Sequence, residues 1–208
     1  METTEIARLL VPFIELDTEQ LQQVSLYMSL LLKWNAKINL TAVRQPQEMV
    51  TRHFGESFFA GKHLWGTSSP NLTLDVGSGA GFPGLPCAIL APTSPVLLVE
   101  SNNKKAAFLK EVIFALELKN VKVFFGRAES CTDQDADLVT MRAVEKFESS
   151  FPVALQLVKP TGRIALMIGE AQQLSVARKI AGNVEWQAPI AVPGGHSRVL
   201  LAGTKMGS

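Results

Sequence analysis

Leu72-Thr73-Leu74-Asp75-Val76-Gly77-Ser78-Gly79-Ala80-Gly81-Phe82-Pro83-Gly84 is the stretch from which the architecture can be read. Residues 72–76 form a short apolar run of the kind that makes a buried strand. Four glycines follow within eight positions, and the chain then enters an apolar helical segment. Glycine lets the backbone turn tightly and lets a ligand approach without meeting a Cβ. In an open α/β sheet, ligands lie outside the carboxyl ends of the strands, which is where this loop falls.

Downstream, strand-like and helix-like patterns alternate. Strands are expected at 96–99, 121–125, 137–141 and 163–168, and helices at 84–90, 103–118, 145–158 and 171–181. Strict alternation implies a parallel sheet built from crossover units. The tail departs from it. Val184 to Val192 and Arg198 to Ala202 are joined by Pro193-Gly194-Gly195, a hairpin signal that adds an antiparallel edge. Upstream, the texture is helical. Asp17-Thr18-Glu19-Gln20 is a capping-box signal, and Leu21, Val24, Met28, Leu31 and Leu32 recur at helical spacing, giving a helix over 18–35. Helices are also expected over 3–14 and over 46–63, the latter opened by Pro46 with Met49, Val50, Phe54 and Phe58 on one face. Gly66 to Pro70 is the expected seam, dividing a helical N-terminal extension (1–66) from an α/β domain (67–208).

Composition excludes several classes. The chain has 208 residues, 47% apolar and 19% charged, with a net charge of +1, which excludes a disordered chain. Its 2 cysteines, Cys87 and Cys131, form no CxxC pair, and His53, His63 and His196 form no HExxH motif, so no metal site is expected. Met1-Glu2-Thr3-Thr4-Glu5 lacks the pattern of a signal peptide, and no apolar run approaches the ~18 residues of a membrane-spanning helix. A cytoplasmic protein with no membrane association is expected, and nothing demands more than a monomer.

Two readings of the glycine loop compete. Gly79-x-Gly81-x-x-Gly84 fits the dinucleotide fingerprint GxGxxG. The alternative is the loop of S-adenosylmethionine (SAM) methyltransferases, an acidic residue at the end of the first strand followed by glycines two apart. The second is favoured. Asp75 near the ligand edge would repel a pyrophosphate, whereas SAM carries an ammonium and a sulfonium, and Gly77 is unexplained by the dinucleotide register. Glu100, ending the second strand, can accept both hydroxyls of a ribose under either reading. An NAD(P) oxidoreductase would also want a proton donor, and Tyr27, the one tyrosine, lies in the other half. No Walker A lysine follows the loop.

Lys104 and Lys105 fall in the first turn of the helix that Ser101 or Asn102 caps, where cations oppose the helix dipole by ~0.3–1 kcal/mol each. With Lys110, Lys119, Lys122 and Arg127 they could make a local basic patch on a chain of nearly neutral charge. Arg142 follows the fourth strand at the ligand edge, where an arginine can hold a phosphate, stack on a base or form a structural ion pair.

Trp34-Asn35-x-x-Ile38-Asn39-Leu40-Thr41-Ala42-Val43, then Arg52-His53, Asp75 to Gly84, Glu100-x-x-x-Lys104-Lys105-x-x-Phe108-Leu109 and Arg142-Ala143 come in one order. Together they resemble the RsmG (GidB) family of small-subunit ribosomal RNA guanine-N7 methyltransferases, from about residue 30 onward. The resemblance implies a Rossmann-like class I SAM-dependent methyltransferase fold: a seven-stranded, mostly parallel sheet with an antiparallel C-terminal edge, plus the helical N-terminal extension. It implies methylation of N7 of one guanine in the 530 loop of 16S rRNA, with SAM as cofactor and the small ribosomal subunit or its assembly intermediate as partner. It assigns cofactor contacts to Asp75, Gly77, Gly79, Phe82, Glu100, Ser101, Asn102, Ala128, Glu129 and Arg142. Arg142 also positions the substrate, and no general base is expected. Asn39, Arg44, His53, Lys104, Lys105, Arg127 and Arg198 are its RNA-side candidates. Three positions depart from the usual pattern: Ile168 where many relatives carry lysine, Met141 where the residue is often small, and Glu56 where Asp is usual.

Overall fold

The computed structural model describes residues 1–65, 70–132, 135–142, 147–169, 171–195 and 198–207, with only the backbone described over 171–174. Ala143, His196 and the core of the expected seam lie outside the described residues.

Eight strand segments form one sheet: β1 (Thr73–Val76), β2 (Val96–Glu100), β3 (Val121–Phe125), β4 (Ala136–Arg142), β5 (Val158–Ile168), β6 (Val184–Trp186), β7 (Ile190–Ala191) and β8 (Val199–Lys205). The order is β3-β2-β1-β4-β5-β8-β6, with β7 also on β8. The first five are parallel; β8 runs antiparallel to β5, and β6 and β7 antiparallel to β8. The expected single strand from Val184 to Val192 is thus two pieces on one partner. The register slips by one residue between Trp186↔Gly203 and Ile190↔Leu200, beside Pro189, which has no N–H to give the ladder. Taken as one bulged arm, β6 and β7 bring the sheet to the expected seven strands. Its hairpin turns at Pro193-Gly194-Gly195, with Gly194 at φ +65°. The β1/β4 boundary, where strand order reverses, is the topological switch point.

Alternation along the strands sorts the core into two layers. Leu74, Val76, Leu97, Val99, Val139, Met141, Ile164, Leu166 and Leu201 pack on one face with Phe151, Ala154 and Ala177, from α7 (Phe147–Leu157) and α8 (Ala171–Ile180). On the other face Val96, Leu98 and Val121 meet Leu85, Phe108 and Val112, from α5 (Gly84–Leu90) and α6 (Asn103–Ala115). Here α6 ends three residues short of the expected boundary, at a reversal through Glu117 with φ +54°.

The helical extension shares that second layer. It comprises α1 (Thr3–Leu10), α2 (Thr18–Asn35), α3 (Pro46–Met49), a π-helical stretch Val50–Gly55, and α4 (Glu56–Trp65). The capping box forms as read: the Gln20 N–H donates to Asp17 Oδ1 at 2.8 Å and the Asp17 N–H to Gln20 Oε1 at 3.1 Å. Val24, Tyr27, Met28 and Leu31 form the buried stripe of α2 at i, i+3, i+4, i+7. Burial of each is worth roughly 1.5–3 kcal/mol. Leu32, expected in the stripe, is exposed instead. Ile6, Leu10, Val24, Tyr27 and Leu31 belong to the same cluster as Phe82, Leu98 and Phe108, so extension and sheet have one core. Ala60 and Leu64 of α4 cover Leu138, Ala165 and Leu200 on that face. The expected helix over 46–63 is real, but its middle is π-wound. Gly55 lies there because a Cβ would stand 2.7 Å from the Phe13 ring.

Candidate active site: two crevices along one sheet edge

The carboxyl ends of β1, β2 and β3 enclose a first crevice of about 470 Å³. Gly77 lines it at the head of the glycine loop, in which Gly77, Gly79 and Gly81 have φ of +72°, +59° and +88°, a region that L side chains rarely adopt. The glycines do different work. A Cβ on Gly81 would meet Leu85 Cδ1 at 2.4 Å and Tyr27 Oη at 2.6 Å, and one on Gly84 would meet Leu98 Cδ2 at 2.4 Å. Those two are glycine for internal packing. A Cβ on Gly79 would meet only Gly77 O at 3.8 Å. Gly79 therefore needs its backbone conformation and leaves space above it.

Glu100 holds the crevice together. Its Oε2 accepts from the Gly79 N–H at 2.8 Å and its Oε1 from the Asn102 N–H at 2.7 Å. Asn102, not Ser101, is the N-cap: its Oδ1 accepts from the N–H groups of Lys104 and Lys105 at 3.0 and 3.1 Å. A carboxylate offers about four lone-pair sites, so Glu100 keeps capacity for hydroxyl donors. Gly77, Glu100, Ser101, Asn102, Ala128 and Glu129 all line this crevice. So do Lys105 and Arg127, which sequence reasoning had set on the RNA side.

Asp75 is placed differently from the expectation. It is 1% exposed and turned under the loop, where Oδ1 accepts from the Thr140 hydroxyl at 2.8 Å and Oδ2 from the Gly84 N–H at 3.1 Å. Thr140 is its cross-strand partner in register. Burial pushes the Asp75 carboxyl up to about 6, against the pull of those two donors. Asp75 pins the loop rather than lining the crevice. Phe82 also faces inward, stacked between Tyr27 (centroids 5.3 Å apart) and His53 (5.0 Å). The Tyr27 hydroxyl donates to the Ala80 carbonyl of the loop. It is fully buried and committed, and so supplies no proton to a nicotinamide reaction.

A second crevice of about 430 Å³ lies beyond the ends of β4 and β5, between them and the π-helical stretch. Arg142 is its hub. Its guanidinium donates to the backbone carbonyls of Arg52 and His53, to Ser57 Oγ at 3.3 Å and to His53 Nδ1 at 3.1 Å, and it pairs with Glu56 Oε2 at 3.3 Å. A π-helical stretch changes the i→i−4 pairing, and here two of its carbonyls serve Arg142. Burial lowers Arg142 to about 10, with Glu56 opposing, so it is cationic at neutral pH. Because a guanidinium only donates, His53 Nδ1 accepts and Nε2 carries the proton, 2.7 Å from Thr41 Oγ1. Burial, then Arg142, Arg52 and Arg198, push His53 down to about 3. His53 is a neutral, fully engaged ring, not a phosphate-binding cation.

Glu56, noted in the sequence only as a departure, and its neighbour Ser57 are both buried against Arg142. Burial raises the Glu56 carboxyl, while Arg142, Arg198 and Arg52 pull it down. Arg198 Nη2 lies 2.7 Å from Glu56 Oε1. Ile168 is buried and lines the same crevice as part of its apolar wall. Arg142 therefore belongs to the second crevice and not the first. Asn39 and Arg44 are exposed and 3.3 Å apart on the loop after α2, and Lys104 is exposed on α6. That loop is organised by Asn35, whose Oδ1 accepts from the N–H groups of Leu40 and Thr41 at 2.9 and 3.0 Å. Tyr27, Asn35, Glu56 and Thr140 carry this architecture and had no assigned role in the sequence. Asn35 lies in the quoted Trp34-Asn35 motif, and Tyr27 falls at helical spacing with Val24, Met28 and Leu31. Among the described residues there is no cluster of His, Cys, Asp and Glu suited to a metal, and no helix long and apolar enough to cross a membrane.

The sheet order, with a glycine turn at its switch point and an acid ending the second strand, defines the class I SAM-dependent methyltransferase fold. Solved structures agree. Ribosomal protein L11 methylase from Lactobacillus delbrueckii subsp. bulgaricus superposes with a TM-score of 0.63 at 12% identity, over 74% of this chain and 79% of that one. M. jannaschii TYW2, solved in complex with AdoMet (SAM), gives 0.58 at 19% identity over 83% and 80%. Within that class, residues 20–187 match GidB, rRNA small subunit methyltransferase G, and the chain belongs to this family. Relatives include ribosomal RNA small subunit methyltransferase G of Roseiflexus castenholzii, 37% identical over 93% of this chain and 86% of its own. The Xanthomonas axonopodis pv. citri protein of the same name is 39% identical over 81% and 78%.

Proposed function

We propose that this chain transfers the methyl group of SAM to N7 of one guanine in the 530 loop of 16S rRNA, presented on the small ribosomal subunit or an assembly intermediate. The observation that carries the reading is the pairing of two crevices on one sheet edge, joined by the loop from Gly77 to Phe82. The first fits a nucleoside with a cationic tail. Gly77 and Gly79 leave the backbone approachable, Glu100 has the acceptors for two ribose hydroxyls, and Ala128-Glu129 form the wall where a base would lie. Ser101 and Asn102 flank Glu100, and Phe82 contributes through its backbone, its ring being buried. Asp75 acts by holding the loop.

Bound SAM supplies an electrophilic methyl group. Guanine N7 has an available lone pair and no proton, so the chain need not supply a general base. That agrees with the second crevice: His53 is neutral with both ring nitrogens engaged, and Glu56 is held between arginines. The chain's contribution is orientation and the exclusion of water. Arg142 sets the second crevice against the extension. The extension, with Asn39 and Arg44, and the start of α6, with Lys104, grip the RNA backbone. The described lining of each crevice comes from one chain, which supports action as a monomer, and a ribosomal substrate supports a cytoplasmic location.

Incubation with labelled SAM and 30S subunits or 16S rRNA, followed by base mapping, tests this. Label should fall on N7 of a single guanine. Label on another base or on protein, or none at all, would overturn the reading.

A further inference from the structure

The second crevice carries polar groups whose arrangement the reaction alone does not explain. Glu56 is 2% exposed, yet it lines the cavity. Each of its oxygens takes one guanidinium, Arg198 at 2.7 Å and Arg142 at 3.3 Å. A carboxylate has about four lone-pair sites, so this leaves acceptor capacity beside the cavity. Arg198 and Arg52 line the same space, and the Nε–H of each is buried without a hydrogen-bond partner. A buried donor without a partner calls for an acceptor. A carboxylate with spare acceptor sites, flanked by unpartnered arginine donors, complements a ligand that offers two donors beside an acceptor.

The Watson–Crick edge of guanine has that pattern: O6 accepts, and N1–H and the N2 amine donate. Proteins usually read guanine with an arginine on O6 and N7. That mode is barred where N7 must keep its lone pair for methyl transfer, so selection has to come from the other edge. We propose that Glu56 is the residue that selects guanine, accepting from N1–H and the N2 amine while Arg198 Nε donates to O6. Adenine would set its N1 lone pair against the carboxylate, a repulsive contact that discriminates as strongly as the attractive one. Arg142 positions Glu56 by holding its other oxygen. This inference rests on the methyltransferase reading and deepens it.

The experiment compares kcat/KM on 30S subunits reconstituted with 16S rRNA carrying guanine or inosine at the target position. Inosine differs only in lacking the N2 amine. The wild-type protein should prefer guanine by about 10- to 100-fold, the range for one hydrogen bond to a charged group. In Glu56→Gln, an isosteric change that turns one acceptor into a donor, the preference should collapse to within about threefold while SAM affinity by calorimetry is retained. A guanine-to-inosine ratio that is unchanged in the variant would make Glu56 a structural ion-pair partner and overturn the assignment. So would a wild-type ratio near one, a measurement that does not depend on the variant folding. Efficient methylation of guanine with no preference over inosine thus defeats this inference alone, whereas no transfer to either substrate defeats the parent reading.

Discussion

Asp75→Asn tests how the glycine loop is held. The carboxyl is buried between Thr140 and Gly84, and burial sets its pKa at about 6 instead of the ordinary 3.8. The unfolded chain releases this proton near 3.8, while the folded chain keeps it until about 6. Between those values the folded state binds more protons, so stability falls as pH rises. The contribution is complete below 3.8 and gone above about 6. At about 1.36 kcal/mol per pH unit, that interval corresponds to about 3 kcal/mol. Asparagine fits the site: its oxygen can accept from the Gly84 N–H, and its amide can donate to the Thr140 hydroxyl, which rotates to accept. The variant does not titrate. Urea denaturation from pH 3 to 7.5 should show it gaining about 3 kcal/mol on the wild type as pH rises, whatever its constant offset. A difference flat within about 0.5 kcal/mol would mean that the hydrogen bonds offset burial in full, and the argument would fail.

Three further substitutions address the loop and the RNA side. Tyr27→Phe keeps the stack on Phe82 but leaves the buried Ala80 carbonyl without its donor; it should cost about 1–3 kcal/mol in denaturation and weaken SAM binding in calorimetry. A loss under about 0.5 kcal/mol with unaltered SAM affinity would show that the extension does not hold the loop. Lys104→Ala should lower the slope of log K for RNA against log salt by about 0.7–0.9 with SAM binding unaffected. Lys105→Ala should also alter SAM affinity, since Lys105 lines the first crevice. Identical behaviour of the two lysines would contradict their different placement.

The inner strands were legible because parallel strands covered on both faces read as uninterrupted apolar runs; 96–99 matches the fully buried β2 to within a residue, and the half-exposed edge strand β3 is read over its observed 121–125 from its Val and Phe content. The first crevice was legible for a related reason. Its residues sit on one loop and on the turns directly after strand ends, so order along the chain already brings them together. The second crevice was not. Glu56 reads as one polar position inside the helix expected over 46–63, and what holds it buried is Arg142, 86 positions away. The π-helical stretch has no periodic signature of its own; its carbonyls are turned to an arginine from another element. Asp75 was misplaced because the sequence shows that a carboxylate ends β1 but not on which side of the sheet it points. Register decides that, by setting Thr140 opposite.

The glycine loop and the rings packed on it connect the two crevices, and this wall bears on how the extension works. Gly77 opens the loop in the first crevice, and Phe82 closes it against His53, which reaches the second through Arg142. Three tethers from outside the loop hold it: Glu100 on Gly79, Tyr27 on Ala80 and Asp75 on Gly84. Transfer between two bound groups is sensitive to misplacement on the scale of an ångström. A loop free to shift would let each crevice bind its ligand and still hold the reacting atoms apart. The extension contributes Tyr27 and His53 to this wall, one on the loop itself and one on the ring that ends it. On the proposed function, the extension sets the distance between the crevices as well as gripping RNA, and damage to Tyr27 should reduce methyl transfer by more than it reduces the affinity of either ligand alone.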